Sequence, residues 1–347
     1  MKDFAISGPE WFDGAAAPVV LVQDERIIYR NAAAANLGLI EGGAVPEEFG
    51  DIPCGAYACI EWQGSSWLCR GSMLESGMLI QLERQGKAEL SADRLRQLAA
   101  KMRVPLGNLI GAIQLLQRPN AVRTEEKRHQ YQAIQRKNYR ILLRMLDDLE
   151  LLGSLDEELP FRPTVLDFGG LCGDVVRGVE DLVRQAGRTL SLDVSDGNML
   201  VQGEAQLLRR MLCHLLSNAL RSCGEAGSVK LRLEKKGSWV RLTVSDSGTG
   251  FSPEELGSAF DPGAGEELLT QGGLGLGIPL CRQVIQRHGG RIALLGGGGG
   301  KVMVELPLAK STEGGFLHSG TDFSGGMNDL MTRLADVLPW QCFAEEE

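Results

Sequence analysis

Leu95, Leu98, Met102, Leu106, Leu109, Ile110, Ile113 and Leu116 recur every three or four positions, the spacing of one apolar face on a single long helix. Pro105 stands in the middle of that stripe. A proline in a helix interior removes a hydrogen bond and costs roughly 3 kcal/mol, so a helix that keeps one is under a constraint other than stability. After the turn "QRPNAVRT" a second stripe follows, made by Tyr131, Ile134, Ile141, Met145, Leu149 and Leu152. Two long helices with one apolar and one charged face each bury too little surface as an isolated pair. Pairing with a second copy into a four-helix bundle is the expected outcome, and packing against the chain's other segments is the alternative.

The chain has 347 residues, enough for two or three domains with their own cores. Its formal net charge of -9 argues against nucleic acid as a partner, because the chain offers no basic stripe to displace counterions. No apolar run reaches the length of a membrane span, and the opening "MKDFAISGPEWFDG" lacks the pattern of a signal peptide, so a cytoplasmic location is expected. Eight cysteines occur without any C-x-x-C pair, several inside apolar patterns, which favours reduced, buried thiols over zinc ligands or disulfides.

Four segments are expected along a multidomain α+β chain. Residues 10–86 alternate short strand-like runs ("APVVLVQ", "IIYRN", "YACIEW", "SSWLCRGSML", "GMLIQLER") with turns such as Asp24-Glu25-Arg26, as in a small mixed α/β domain. Residues 88–156 are the helical hairpin. Residues 165–308 alternate helices and strands in the order of an α/β sandwich, a sheet covered by helices. Residues 309–347 comprise a Gly/Ser-rich linker and "MNDLMTRLADVLPW", with Met327, Leu330, Met331, Leu334 and Val337 on one helical face. Such a stripe reads as core or as a self-docking helix before it reads as a partner's binding site.

Three places in the third segment suit a nucleotide. "SNALR" sets Asn218 and Arg221 one turn apart on a helix, and an amide oxygen is a hard ligand suited to Mg²⁺. "DSGTG" follows a strand; Asp246 can accept from an exocyclic amine, and Gly248 and Gly250 permit a tight turn. "QGGLGLGIPL" runs Gly273, Gly275 and Gly277 into a helix, where backbone amides can cradle phosphate. Each alone reads equally well as ordinary helix or turn. The irregular stretch before the third also argues against a dinucleotide fold, which needs a strand there.

In this order and spacing the three resemble the N, G1 and G2 boxes of the ATP-binding domain shared by histidine kinases and gyrase-type ATPases, and "AFDP" resembles their F box. With the hairpin upstream, residues 88–308 resemble a sensor histidine kinase. Residues 10–86, with a strand ending in Asn31 before the small-residue helix "AAAANLGL", resemble a PAS sensor domain. The resemblance implies ATP and Mg²⁺ as cofactors, with Asn218 as the Mg²⁺ ligand, Arg221 facing phosphate, Asp246 reading adenine, and Gly248, Gly250, Gly273, Gly275 and Gly277 lining the lid and phosphates. It also implies a homodimer, an unidentified PAS signal, and a response regulator or partner kinase.

The same resemblance exposes a departure. The family's first helix carries a motif close to H-E-L-R-T-P-L, matched here by Arg103, Pro105 and Leu106. Ala100 stands at the phosphoacceptor position, Lys101 at that of the acidic base, and Val104 at that of the residue orienting water. Of the four histidines, His129 reads as solvated, His288 as a cation favoured at a helix carbonyl end, and His318 as part of a glycine-rich tail. His214 lies one turn before Asn218, where it either lines the site or serves as a general base; the former is the simpler reading. The lid stretch "DPGAGEELLTQ" has no Lys or Arg, and the last strand lacks the Ser or Thr usual near adenine. Autophosphorylation in cis is therefore disfavoured. A regulatory pseudokinase is expected, the alternative being an active kinase or ATPase whose acceptor lies on another protein.

Overall fold

The computed structural model describes residues 12–49, 52–85, 92–118, 124–156, 161–195, 197–261, 274–309 and 326–344. It is a mixed α+β structure whose strands do not separate where the sequence segments do. The N-terminal part carries β1 (Val19–Gln23), β2 (Arg26–Arg30), β3 (Ala56–Trp62), β4 (Ser65–Leu74) and β5 (Gly77–Gln85), with one short helix, α1 (Ala32–Asn36). Two of its hairpins close through two-residue turns in which both residues have positive φ, Asp24-Glu25 and Gln63-Gly64. That geometry matches the right-handed twist of the flanking strands. Asn31 caps α1 and is 1% exposed; its Oδ1 accepts from the Val19 and Ala34 amides, both at 3.0 Å.

Next come the two long helices, α2 (Ala92–Gln117) and α3 (Glu125–Asp156), packed against each other. Helix α2 continues through Pro105, which is buried. Leu98, Ala112, Ala133 and Met145 of the pair are buried, whereas Leu95, Val104, Leu106 and Ile110 of α2 and Tyr139 and Leu146 of α3 stay exposed.

The C-terminal part holds α4 (Phe168–Gln185), α5 (Ala205–Ser222), α6 (Pro253–Ser258) and α7 (Gly277–Arg287) with β7 (Thr189–Val194), β9 (Ser228–Lys236), β10 (Trp239–Asp246), β11 (Arg291–Leu295) and β12 (Lys301–Pro307). Strands β6 (Thr164–Asp167) and β8 (Leu200–Gly203) form a separate pair. A last helix, α8 (Gly326–Arg333), precedes a single 3-10 turn at Trp340–Phe343. The main sheet runs β2-β1-β5-β4-β3-β11-β12-β10-β9-β7 and is antiparallel except between β7 and β9. One continuous ten-stranded sheet thus replaces the two sheets expected from sequence, through pairing of Ile292–Leu295 with Ala56–Cys59. The joint is pinned by Glu305, 1% exposed between Arg241 and Arg291, while the Arg291 guanidinium also donates to the Glu47 carbonyl at 2.6 Å. Pairing the two edges removes the free ladder groups that an exposed edge would present.

His288 corrects the sequence reading. It is buried, its Nδ1 donating to the Val284 carbonyl at 2.7 Å and its Nε2 accepting from the Glu204 amide at 3.0 Å, so the ring is neutral. Burial lowers its pKa from 6.5, against a smaller opposing effect of the Val284 carbonyl. Below about 6.5 the unfolded chain takes up a proton that the native ring refuses. This stabilising contribution is complete above that pH and is lost as the pH falls through the folded value. The melting temperature is expected to drop as the pH falls below about 6.5, less steeply in His288→Gln; parallel profiles would refute that role.

All eight cysteines are free thiols, and only Cys54 is exposed. Burial pushes Cys213 up to about 11 and Cys59 up to about 12, which leaves them protonated and inert.

Candidate nucleotide site

Helix α5 is buried on nearly every side, which a helix tolerates only when covered all round. Leu208, Leu212, Leu215 and Leu216 pack into the main core, while His214 and Ser217, both buried, face helix α3. Asn218 and Arg221 sit at its C-terminal end, with Asn218 Oδ1 3.4 Å from Arg221 Nη1. The start of α7 approaches from the other side. A Cβ at Gly277 would stand 3.4 Å from Asn218 Nδ2, and Gly275, at φ +73°, makes the left-handed turn into the helix. These residues and His214 line one cavity of about 40 Å³. Gly273 lies outside the described residues.

The "DSGTG" turn forms a second, adjoining cluster. Asp246 ends β10, and its Oδ1 accepts from the Gly248 amide at 2.8 Å and the Gly300 amide at 3.2 Å. A Cβ at Gly248 would fall 2.2 Å from the Ser222 carbonyl oxygen at the end of α5, so only glycine fits. A Cβ at Gly250, at φ +78°, would fall 2.5 Å from the Gly297 carbonyl oxygen. The carboxylate is thereby fixed in orientation, while Asp246 itself is only half-buried.

Three partners in the cavity were missed from sequence, namely Arg144 and Asp148 of α3 and Asp336 beyond α8. Asp148 Oδ1 lies 3.1 Å from His214 Nε2, and Arg144 Nη2 lies 3.3 Å from His214 Nδ1. Burial raises the Asp148 pKa, but His214 and Arg144 together outweigh it and hold the carboxyl below its usual range. Asp336 binds both Arg144 and Arg221, and Ser217 Oγ donates to its carboxylate at 3.1 Å. The only available signal was that Arg144 and Asp148 interrupt the apolar stripe of α3 at helical spacing. Ala100, by contrast, lies on an exposed face of α2 and does not line this cavity.

The glycine turns at the start of α7 and after β10 thus both approach the C-terminal end of α5. The family model described as "Histidine kinase-, DNA gyrase B-, and HSP90-like ATPase" matches residues 203–310. Among curated relatives, the adaptive-response sensory kinase SasA of Prochlorococcus marinus (strain MIT 9215) is 28% identical over 162 residues, 44% of each chain. The signal transduction histidine-protein kinase BaeS of Escherichia coli (strain K12) is 29% identical over 232 residues, 65% of this chain and 48% of the relative. Over these regions the chain is similar to sensor histidine kinases, and the matched region spans about half or less of these relatives' length. The fold is similar to that of histidine kinase ThkA, solved in complex with response regulator protein TrrA. The TM-score is 0.51 at 19% identity, over 87% of this chain and 98% of that one.

Proposed function

We propose that this chain is a two-component signalling protein that binds Mg-ATP as a homodimer but does not phosphorylate itself. The observation that carries this reading is Ala100, an exposed methyl group on α2 where the family's motif has its acceptor histidine. A methyl group has no lone pair to attack a phosphoryl group, and phosphoryl transfer depends on an in-line nucleophile. Lys101 and Val104 remove the neighbouring reactive positions as well.

The nucleotide pocket is supported by its glycine cradle and polar helix end. Asp246 would accept from the adenine amine through its freer oxygen, Asn218 would ligate Mg²⁺, and Arg221 would face phosphate. Gly248, Gly250, Gly273, Gly275 and Gly277 would shape the lid and phosphate turn. When bound, the nucleotide supplies a transferable phosphoryl group and its Mg²⁺ charge neutralisation. The protein's own residues orient it and exclude water.

Residues 10–86 are assigned as a PAS-type sensor, 88–156 as the dimerisation hairpin, 165–308 as the ATP-binding domain, and 309–347 as a linker with an amphipathic helix. A response regulator is a candidate partner, by likeness to the ThkA complex. None of the described helices is long and apolar enough to cross a membrane.

The dimer is supported by large apolar side chains left exposed on the hairpin: Leu106 and Ile110 one turn apart on α2, Val104 elsewhere on the same helix, and Leu146 on α3. Light scattering should give twice the chain mass, and Val104→Glu with Ile110→Glu should give a monomer; a monomeric wild type at every concentration refutes the assembly. For the activity itself, the wild-type chain should remain unlabelled in γ-labelled Mg-ATP, with and without response regulators. Acid-labile, base-stable label on it, at His129 for instance, would overturn the pseudokinase reading.

A further inference from the structure

The C-terminal segment Gly326–Ala344 is built into the nucleotide-binding half rather than resting on it. Leu330, Leu334, Leu338 and Phe343 are buried in the core shared with α3, α4 and α5. Helix α4 is shaped for it: a Cβ at Gly178 would stand 2.4 Å from Leu330 Cδ1, so the glycine is what lets that side chain seat. Basic side chains hold the backbone of the segment. Lys137 Nζ donates to the Leu338 carbonyl at 2.6 Å, Arg188 Nη1 to that of Val337 at 2.9 Å, and Arg136 Nη1 to that of Phe343 at 2.9 Å.

This anchoring delivers one carboxylate to the polar end of α5. The Asp336 side chain is 2% exposed and binds Arg144 from the hairpin, Arg221 from α5 and the Ser217 hydroxyl. Two guanidinium groups and a hydroxyl converging on one anion are the donor set that suits a phosphate at least as well as a carboxylate. With Asp336 in place the cavity beside it is about 40 Å³. The Asp336 carboxylate occupies the position between the two guanidinium groups that a terminal phosphate oxygen would need.

We propose that Arg144, Ser217 and Arg221 form the terminal-phosphate end of the nucleotide site, and that Asp336 fills it so that the C-terminal segment keeps the site shut until nucleotide displaces it. This inference rests on the nucleotide-binding reading. Arg144 is buried, and its other carboxylate, Asp148, stands 3.9 Å away and is shared with His214, so an anion in place of Asp336 restores the close charge partner that its departure removes. Binding and release of the segment are therefore linked, and the linkage is reciprocal.

The test uses the full chain and the non-hydrolysable Mg-AMPPNP. Asp336→Asn keeps the size and the hydrogen bond from Ser217 but removes the competing charge. Calorimetric titration should show it binding nucleotide at least fivefold tighter than wild type, the low end of the usual coupling range of roughly 5–150-fold. In the wild-type chain, saturating nucleotide should speed hydrogen exchange at the protected amides of Leu334, Val337 and Leu338. Equal or weaker binding by a folded Asp336→Asn overturns the inference while leaving the pocket assignment standing. Unchanged exchange in nucleotide-bound wild type does the same without relying on the variant's stability. Failure of both proteins to bind millimolar nucleotide overturns the pocket assignment and this inference with it.

Discussion

If the proposed pseudokinase reading holds, the wild-type chain should acquire no phosphohistidine, and installing Ala100→His together with Lys101→Glu should separate a missing acceptor from an incompetent ATP-binding half. The pair restores an imidazole and the carboxylate that takes its proton, on an exposed turn of α2. The buried Pro105 that follows is untouched, so the helix that presents the acceptor keeps its shape. The expected contrast is all or none, because no residual chemistry is available to a methyl group. Label on the double variant places the whole loss in the hairpin and leaves the ATP-binding half competent. A blank double variant that still binds nucleotide extends the loss to the lid sequence "DPGAGEELLTQ", which has no cation for the terminal phosphate.

The second large effect concerns Asp246. Millimolar Mg-ATP should raise the melting temperature of the wild-type chain. At ten times Kd the linkage is worth about 1.4 kcal/mol, or roughly 3–6 °C for a domain of this size class. Asp246→Ala should abolish the shift, but it also removes the acceptor for the Gly248 and Gly300 amides, and that alone lowers the baseline. Asp246→Asn separates the two effects. Its amide oxygen can still accept from both backbone groups, while its amide nitrogen would confront the adenine amine donor to donor. The apo melting temperature should therefore stay near wild type while the nucleotide shift disappears. A retained shift in Asp246→Asn would mean that the base is read elsewhere, and no shift in wild type would remove the pocket itself.

By itself the sequence determined the parts whose cause is local. Asn218 and Arg221 share a helix face because they are three residues apart. Gly250 and Gly275 mark left-handed backbone that only glycine adopts freely. The stripes of α2 and α3 announce themselves by period, and Ala100 is legible at once because it breaks a linear motif. Tertiary structure alone decided what depends on residues far apart in the chain. No local pattern says that the edge strand β11 finds β3, since both edges offer the same generic backbone groups and only packing selects the register. His288 looked like a terminal cation until the Glu204 amide, 84 residues away, fixed it as a neutral acceptor. Asp336 reads in sequence as one polar residue in an amphipathic tail, and Arg144 as a charge interrupting a stripe. They meet 192 residues apart because the core seats Leu330 and Leu334, which brings the Asp336 carboxylate against Arg144 and Arg221, where a buried charge needs a partner of opposite sign.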